Sequence, residues 1–155
     1  IKVCNMAIQI GDKLPHFTAT KQDGTAFDSQ EIQQKPVVIY FYPKDFTPGC
    51  TTQACSFRDA YQDFQDLGAE VIGVSGDSAT SHQSFQQKYK LPFILLSDAD
   101  RKLRRLFGVP TALLGLLPGR VTYVFDAKGY CIYIFDSMSA KNHIERALKA
   151  IQKAK

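Results

Sequence analysis

The stretch VVIYFYPKDFTPGCTTQAC, residues 37–55, decides the fold of this chain. Its first six residues are all aliphatic or aromatic, which is typical of a strand buried on both faces of a sheet. Thr47 and Pro48 then form a helix start, with threonine at the N-cap and proline at the first helical position. The stretch therefore predicts a central strand whose carboxyl end leads directly into a helix.

Cys50 is expected in the first turn of that helix. The unpaired N–H groups and the positive end of the helix dipole stabilise a thiolate there, which makes the sulfur nucleophilic. Functional sites of α/β folds also gather at the carboxyl ends of strands. An ordinary cysteine is more often a small core residue, but this position favours a reactive thiol.

Cys55 follows five positions later on the same helix. In an ideal helix the two Cα atoms are about 8.6 Å apart. A disulfide needs Cα atoms within about 7 Å, so the pair cannot bond while the helix is intact. The spacing leaves two interpretations open. Either the thiols react after the first turns unwind, or Cys55 is simply a buried residue beside Ala54 and Phe57.

Strands and helices alternate on both sides of this stretch. A hairpin around Gln22-Asp23-Gly24 precedes it, and a second hairpin around residues 126–129 follows it. Further strands are predicted at 71–75 and 93–96. Apolar spacing predicts four helices, marked by Ala54 to Leu67 ending at Gly68, by Phe85 and Tyr89, by Leu103, Leu106 and Phe107, and by Ile144, Leu148 and Ile151. This order predicts an α/β domain with a mixed central sheet.

Composition narrows the class of protein. The 155 residues are 45% hydrophobic and 22% charged, which excludes a disordered or fibrous chain. We expect one domain over residues 8–155, preceded by a flexible segment at 1–7. The net charge of +4 does not predict nucleic-acid binding, and no apolar run reaches the roughly 20 residues of a membrane span. The basic residues Arg101, Lys102, Arg104 and Arg105 suggest either a phosphate site or, as we favour, a solvated helix face.

The pattern Pro43-x-x-x-Thr47-x-x-Cys50 resembles the active-site motif of peroxiredoxins. Its continuation through Cys55 to Asp59 is similar to the peroxiredoxin Q branch, also called bacterioferritin comigratory protein. The similarity extends over about residues 8 to 151 and is greatest with cyanobacterial and plastid members. It includes the blocks at 73–77, 91–98, 107–110 and 117–124. The resemblance implies a thioredoxin-like fold with an N-terminal hairpin.

The resemblance also implies a function and a site. Cys50 would be the peroxidatic cysteine that reduces hydrogen peroxide and organic hydroperoxides, and Cys55 the resolving cysteine. Thr47 would hydrogen-bond the peroxide and the thiolate, and Pro43 would shield the sulfur from water. Arg120, which alone would be assigned to a solvated turn, would place its guanidinium against the sulfur.

The same resemblance implies how the oxidised enzyme is reduced again and which residue adjusts the hydrogen bonding of the site. Thioredoxin or a similar dithiol would reduce the Cys50–Cys55 disulfide, in a cycle of antioxidant defence that uses no metal, haem or flavin. Many members carry glutamate where this chain has Gln53. An ion pair with an arginine would there become a neutral hydrogen bond, and we expect an adjusted network rather than a loss of activity.

The remaining candidates are weaker. Cys131 lies in an apolar strand pattern and is predicted to be inert, whereas Cys4 is incidental. His16, His82 and His143 are scattered, so no metal site is predicted, and no Cys-x-x-Cys motif of a disulfide reductase is present. The alternative function is a non-enzymatic protein-binding or holdase module. We expect a monomer in a bacterial cytoplasm, with the chloroplast as the alternative compartment.

Overall fold

The computed structural model describes residues 7–112, 115 and 117–154. Nine strands and five helices lie in this part of the chain, together with a short 3-10 helix at Ser29–Ile32. The strands are β1 Thr18–Lys21, β2 Ala26–Asp28, β3 Val37–Phe41, β4 Glu70–Ser75, β5 Ile94–Ser97, β6 Thr111–Ala112, β7 Leu117–Pro118, β8 Val121–Phe125 and β9 Cys131–Asp136. The helices are α1 Pro48–Asp59, α2 Tyr61–Asp66, α3 Ala79–Tyr89, α4 Lys102–Phe107 and α5 His143–Lys153.

Seven strands form one mixed sheet in the order β2-β1-β5-β4-β3-β8-β9. The central strands β3, β4 and β5 are parallel to one another. On one side β8 pairs antiparallel with β3, and β9 with β8. On the other side β1 pairs antiparallel with β5, and β2 with β1. Both predicted hairpins are present as β1–β2 and β8–β9. The prediction of an α/β fold with a mixed sheet is confirmed.

Strand β3 divides the core into two layers. Successive side chains of a strand point to opposite faces, and all five residues of β3 are buried. Val38 and Tyr40 join the cluster that contains residues of α1, α2, α3 and α5. Val37, Ile39 and Phe41 join the cluster with α4 and the first hairpin. The continuous apolar run is therefore explained by helices or loops on both faces of the sheet.

The predicted helix from Ala54 to Leu67 is wrong in one respect, because the chain forms two helices. Ala60 ends α1 with φ −94° and ψ 2°, and α2 begins at Tyr61. Apolar spacing does not register this break, because both helices face the same core. The rings of Phe57 and Phe64 lie 5.8 Å apart across it.

A two-stranded ribbon of β6 and β7 lies outside the main sheet and was not foreseen. It precedes the turn at Gly119, where a side chain would not fit. A Cβ atom on Gly119 would lie only 2.0 Å from the carbonyl oxygen of Pro110. The ribbon and this close approach fix the path of the chain into β8.

Among the helices that the described residues form, none combines the length and apolarity needed to cross a bilayer. The expected N-terminal segment falls, apart from Ala7, outside the described residues, and so does Cys4.

Candidate active site

Cys50 lies in the first turn of α1, directly after the loop that leaves β3. Its side chain is 1% exposed and belongs to the helix-covered half of the core. The first N–H groups of a helix have no intrahelical partner and carry the positive end of its dipole. The sulfur is therefore placed where a negative charge is stabilised while water is excluded.

Arg120 immediately precedes β8, which pairs with β3. Because β8 is antiparallel to β3, its first residue Val121 lies opposite Phe41, at the end of β3 that leads to the loop. The guanidinium Nη2 donates to the sulfur of Cys50 at 3.5 Å, and Nε donates to the carbonyl oxygen of Met138 at 2.9 Å. A cation separated from Cys50 by 70 residues is thus brought to the thiol by sheet pairing.

The charge of Arg120 is nearly buried, with 5% of the residue exposed. Within the described part of the chain, none of the ion pairs includes this arginine. Its third contact is neutral, since Nη1 donates to Oε1 of Gln53 at 2.5 Å. Of these three contacts, the sulfur of Cys50 is the one that is able to carry a negative charge.

Gln53 lies one helical turn after Cys50 and is fully buried. Its Oε1 accepts from Arg120, whereas its Nε2 has no hydrogen-bond partner among the described residues. A buried amide that fixes a guanidinium without neutralising it leaves the positive charge available to the thiol.

Arg104 corrects a sequence prediction. The helix face with Arg101, Lys102, Arg104 and Arg105 was expected to be solvated, but Arg104 is only 8% exposed. Its Nη2 donates to the carbonyl oxygen of Tyr42 at 2.9 Å, and its Nη1 to that of Gly119 at 3.1 Å. The side chain thus joins the residue before Pro43 to the residue before Arg120. The sequence does not indicate this role, because Arg104 lies on the same helix as two exposed cations and its position in the pattern does not distinguish it from them.

Thr47 is the N-cap residue of α1 in backbone conformation, with φ −76° and ψ 151°. Its hydroxyl does not cap the helix but donates to the carbonyl oxygen of Lys44 at 2.8 Å. Because that proton is engaged, the hydroxyl oxygen is free to accept a hydrogen bond from a ligand. Pro43 is half-buried in the same loop.

Cys55 lies further along α1 and is partly exposed. Both Cys50 and Cys55 are free thiols on one uninterrupted helix. The ideal helical separation of about 8.6 Å between their Cα atoms exceeds the reach of a disulfide.

The family model described as the AhpC/TSA family matches residues 10–134. This chain belongs to the AhpC/TSA family. It is 52% identical over 143 residues to the chloroplastic peroxiredoxin Q of Oryza sativa subsp. japonica, a match that covers 92% of this chain and 66% of the rice protein. The AhpC/TSA chain thus spans slightly less than two thirds of the length of that relative.

Solved structures of the family share the fold of this AhpC/TSA chain. Peroxidoxin BcpB of Mycobacterium tuberculosis superposes with a TM-score of 0.87 at 32% identity, covering 96% of this chain and 99% of that one. A bacterioferritin comigratory protein of Xanthomonas campestris, described for its alkyl peroxide reduction activity, superposes with a TM-score of 0.82 at 30% identity, covering 89% and 91%. The fold is therefore the thioredoxin-like fold of peroxiredoxins, as the resemblance implied, and the chain falls in the peroxiredoxin Q branch.

Cys131 of this AhpC/TSA chain lies in β9 and is 1% exposed. Burial raises the pKa of its thiol to about 11, and its sulfur contacts the carbonyl oxygen of Tyr133. A buried thiol that stays protonated at neutral pH is a poor nucleophile. Its placement in the core confirms the buried strand position that the sequence predicts, and its inertness stays a prediction.

A cluster of titratable side chains that the sequence does not predict lies beside the site. It consists of Asp45, Asp77 and His82. Their ligand-type atoms lie within 4.8 Å of one another beside the loop that precedes α1. The carboxylates already accept hydrogen bonds from the protein, including the hydroxyls of Tyr42 and Ser75. The group forms a hydrogen-bonded network. Asp45 is more than 30 positions from the other two members, so no local sequence pattern predicts the cluster.

Proposed function

We propose that this protein is a thiol peroxidase that reduces hydrogen peroxide and organic hydroperoxides through Cys50. The observation that carries the proposal is the contact of the Cys50 sulfur with Arg120, a nearly buried guanidinium without a carboxylate partner in the described chain. A buried cation is costly unless an anion compensates it. The thiolate of Cys50 is that anion, and a thiolate is the reactive form of cysteine.

In the first step the thiolate attacks the terminal oxygen of the hydroperoxide. The O–O bond breaks, the alkoxide or hydroxide leaves and takes up a proton, and Cys50 becomes a sulfenic acid. Negative charge develops on the leaving oxygen during this step. A fixed guanidinium and the N-terminal N–H groups of α1 stabilise that charge in a site from which water is excluded.

Thr47 and Pro43 shape the entrance of the site. The Thr47 hydroxyl has its oxygen free to accept the O–H of a hydroperoxide, because its own proton is engaged by the carbonyl of Lys44. Pro43 is half-buried in the loop that leads to α1. We assign to it the role of limiting the access of water to the sulfur. Both residues orient or protect the reacting atoms, whereas Cys50 and Arg120 carry the chemistry.

Cys55 resolves the sulfenic acid. Its thiol attacks the Cys50 sulfur, a disulfide forms, and the oxygen leaves as water. The two Cα atoms are too far apart in an intact helix, so the first turns of α1 unwind for this step. Thioredoxin or a similar dithiol then reduces the disulfide and is itself oxidised.

The test is peroxide consumption by the reduced protein with thioredoxin, thioredoxin reductase and NADPH. Cys50→Ser is expected to lose turnover with both hydrogen peroxide and an organic hydroperoxide. Cys131→Ser is the matched control, because its buried thiol lies in β9 and does not contact Arg120. Turnover that persists in Cys50→Ser, or that disappears in Cys131→Ser alone, would overturn the proposal.

The same variant discriminates the alternative function. A holdase or protein-binding module would suppress the aggregation of a client protein equally well with and without the Cys50 thiol. Suppression that persists in Cys50→Ser, together with a wild type that consumes no peroxide, would favour that alternative.

The chloroplastic names of the plant relatives favour the chloroplast over the bacterial cytoplasm as the compartment of action. Cell fractionation with an antibody against this protein tests that assignment. We propose that the reduced protein acts as a monomer and binds no nucleic acid. Light scattering of the reduced protein, with and without duplex DNA, tests both statements.

A further inference from the structure

Behind the loop that leads to α1 lies a nearly buried pair of titratable side chains to which the peroxidase chemistry assigns no role. Asp45 is 4% exposed and His82 is fully buried. The Nδ1 atom of His82 lies 2.7 Å from Oδ2 of Asp45. The pair joins the loop to helix α3, and these two residues are 37 positions apart in the sequence.

The hydrogen bonds indicate where the protons lie. Nε2 of His82 faces the carbonyl oxygen of Leu96 at 3.0 Å, and a carbonyl can only accept, so Nε2 carries a proton. The contact between Nδ1 and the Asp45 carboxylate then requires one further proton between ring and acid. The hydroxyls of Tyr42 and Ser81 also donate to this carboxylate, at 2.6 Å and 2.9 Å. These two hydroxyl donors favour the anionic carboxylate, which places the remaining proton on Nδ1 of the ring.

The pair acts on the loop that positions Thr47 and Cys50. Asp45 precedes the helix start at Pro48 by three residues, and its backbone N–H donates to Oδ2 of Asp77 at 2.8 Å. The next residue, Phe46, has φ +64°, a conformation that strains an aromatic side chain and persists only where surrounding contacts impose it. The carboxylate of Asp45 and its amide are both anchored to the α3 side of the site.

We propose that the Asp45–His82 ion pair is a positioning element of the peroxide site, which holds the loop in the conformation that presents Thr47 to the substrate. Neither residue touches the reacting atoms. Removal of one member leaves the other as an uncompensated buried charge, and the strained turn at Phe46 loses its anchor. This inference rests on the proposed function, because positioning is measured as reactivity with peroxide.

The experiment compares two reactions of the same thiol in wild type, His82→Gln, Asp45→Asn and the double variant. The first is the rate constant of Cys50 with hydrogen peroxide, from competition with a haem peroxidase, which depends on the positioned loop. The second is alkylation of Cys50 by iodoacetamide, followed by mass spectrometry, which needs only the thiolate. His16→Gln is the matched control, because His16 forms a corresponding contact with Asp28 at 3.0 Å that is exposed and lies by the outer hairpin.

Each single variant is expected to lose about tenfold to a hundredfold in the peroxide rate constant, the scale of a displacement near 1 Å, without a parallel loss in alkylation. The double variant is expected to lose less than the product of the two single losses, because the pair acts as one unit. Peroxide rates within twofold of wild type in folded variants, or parallel losses in both reactions, would overturn the inference. A wild type that does not react with peroxide would instead overturn the proposed function.

A second measurement does not depend on the folding of variants. In the reduced wild type at neutral pH, the ¹⁵N shifts of His82 are expected to show protons on both ring nitrogens. A neutral ring with an unprotonated Nδ1 would contradict the ion pair. The resonances are assigned in the wild-type protein by through-bond correlation of each ring with its own backbone.

Discussion

The guanidinium of Arg120 lies 3.5 Å from the sulfur of Cys50, and each group compensates for what the other lacks. Arg120 is nearly buried, and none of the ion pairs in the described residues includes it. Cys50 is buried and needs a cation if it is to exist as a thiolate. Each group therefore stabilises the charged form of the other. A change that supplies Arg120 with another anion should reduce the stabilisation that Arg120 gives to the Cys50 thiolate.

Gln53→Glu supplies that anion. The new carboxylate would take the place of the amide oxygen that now accepts from Arg120, and it would add a negative charge near the sulfur. The thiolate fraction at neutral pH is expected to fall, and the peroxide rate constant at pH 7 with it, by about tenfold. Gln152→Glu, an exposed change of the same charge on α5, controls for net charge. Measured from pH 5 to 9, the Gln53→Glu profile should move to higher pH, and an unchanged profile would contradict this account.

Arg104→Lys tests the buried clamp between Tyr42 and Gly119. A lysine ammonium cannot reproduce the planar fork that donates to two carbonyl oxygens at once. The free energy of unfolding is expected to fall by about 1.5–3 kcal/mol, the scale of one hydrogen bond from a charged group. Arg105→Lys, the exposed neighbour, should change it by less than about 0.5 kcal/mol. Urea titration gives both values, and equal effects of the two variants would show that Arg104 has no special role.

Local patterns in the sequence predict much of the fold. The buried strand, the helix start at Thr47 and Pro48, and both hairpins each depend on a few neighbouring residues, and all are present. The break at Ala60 was not predicted, because the apolar spacing continues across it into α2. The ribbon of β6 and β7 was not predicted, because strands of two residues are too short to show an alternating apolar pattern.

The site was predictable to the extent that it is local. The position of Cys50 at a helix start follows from Thr47 and Pro48, whereas the contact with Arg120 was expected only from the resemblance to peroxiredoxins. The burial of Arg104 and the pairing of Asp45 with His82 were not predicted. Both depend on contacts between residues that are 15 to 62 positions apart, and no spacing rule applies to them.

Oxidation should link Cys50 to Cys55 and unwind the start of α1. After one equivalent of hydrogen peroxide, peptide mass spectrometry should find that disulfide, and amide exchange over residues 50–56 should accelerate because the helix cannot hold both sulfurs in bonding distance. At pH 8 Cys131 should remain unalkylated in the folded protein, because burial raises its pKa to about 11. A disulfide between Cys50 and Cys131, or exchange that oxidation does not change, would refute the resolving role of Cys55.

His143 gives the stability of the protein a defined pH dependence. Burial lowers the pKa of this imidazole, and the nearby charge of Arg120 lowers it further, although backbone carbonyls and Asp136 oppose the shift. Its Nε2 donates to the carbonyl oxygen of Ser137, so Nδ1 is free to accept from the hydroxyl of Thr122, which is the pattern of a neutral ring.

The sign of the effect follows from proton binding. Below about pH 6.5 the unfolded chain protonates this histidine while the folded chain does not, so the unfolded state binds more protons and stability falls as pH falls. The loss ends only when the folded form also takes up the proton. Urea titrations at pH 7, 6 and 5 should show a smaller loss of unfolding free energy in His143→Gln than in wild type, whereas His16→Gln, at an exposed ring, should retain the wild-type loss. Equal slopes for wild type and His143→Gln would mean that the buried ring does not resist protonation.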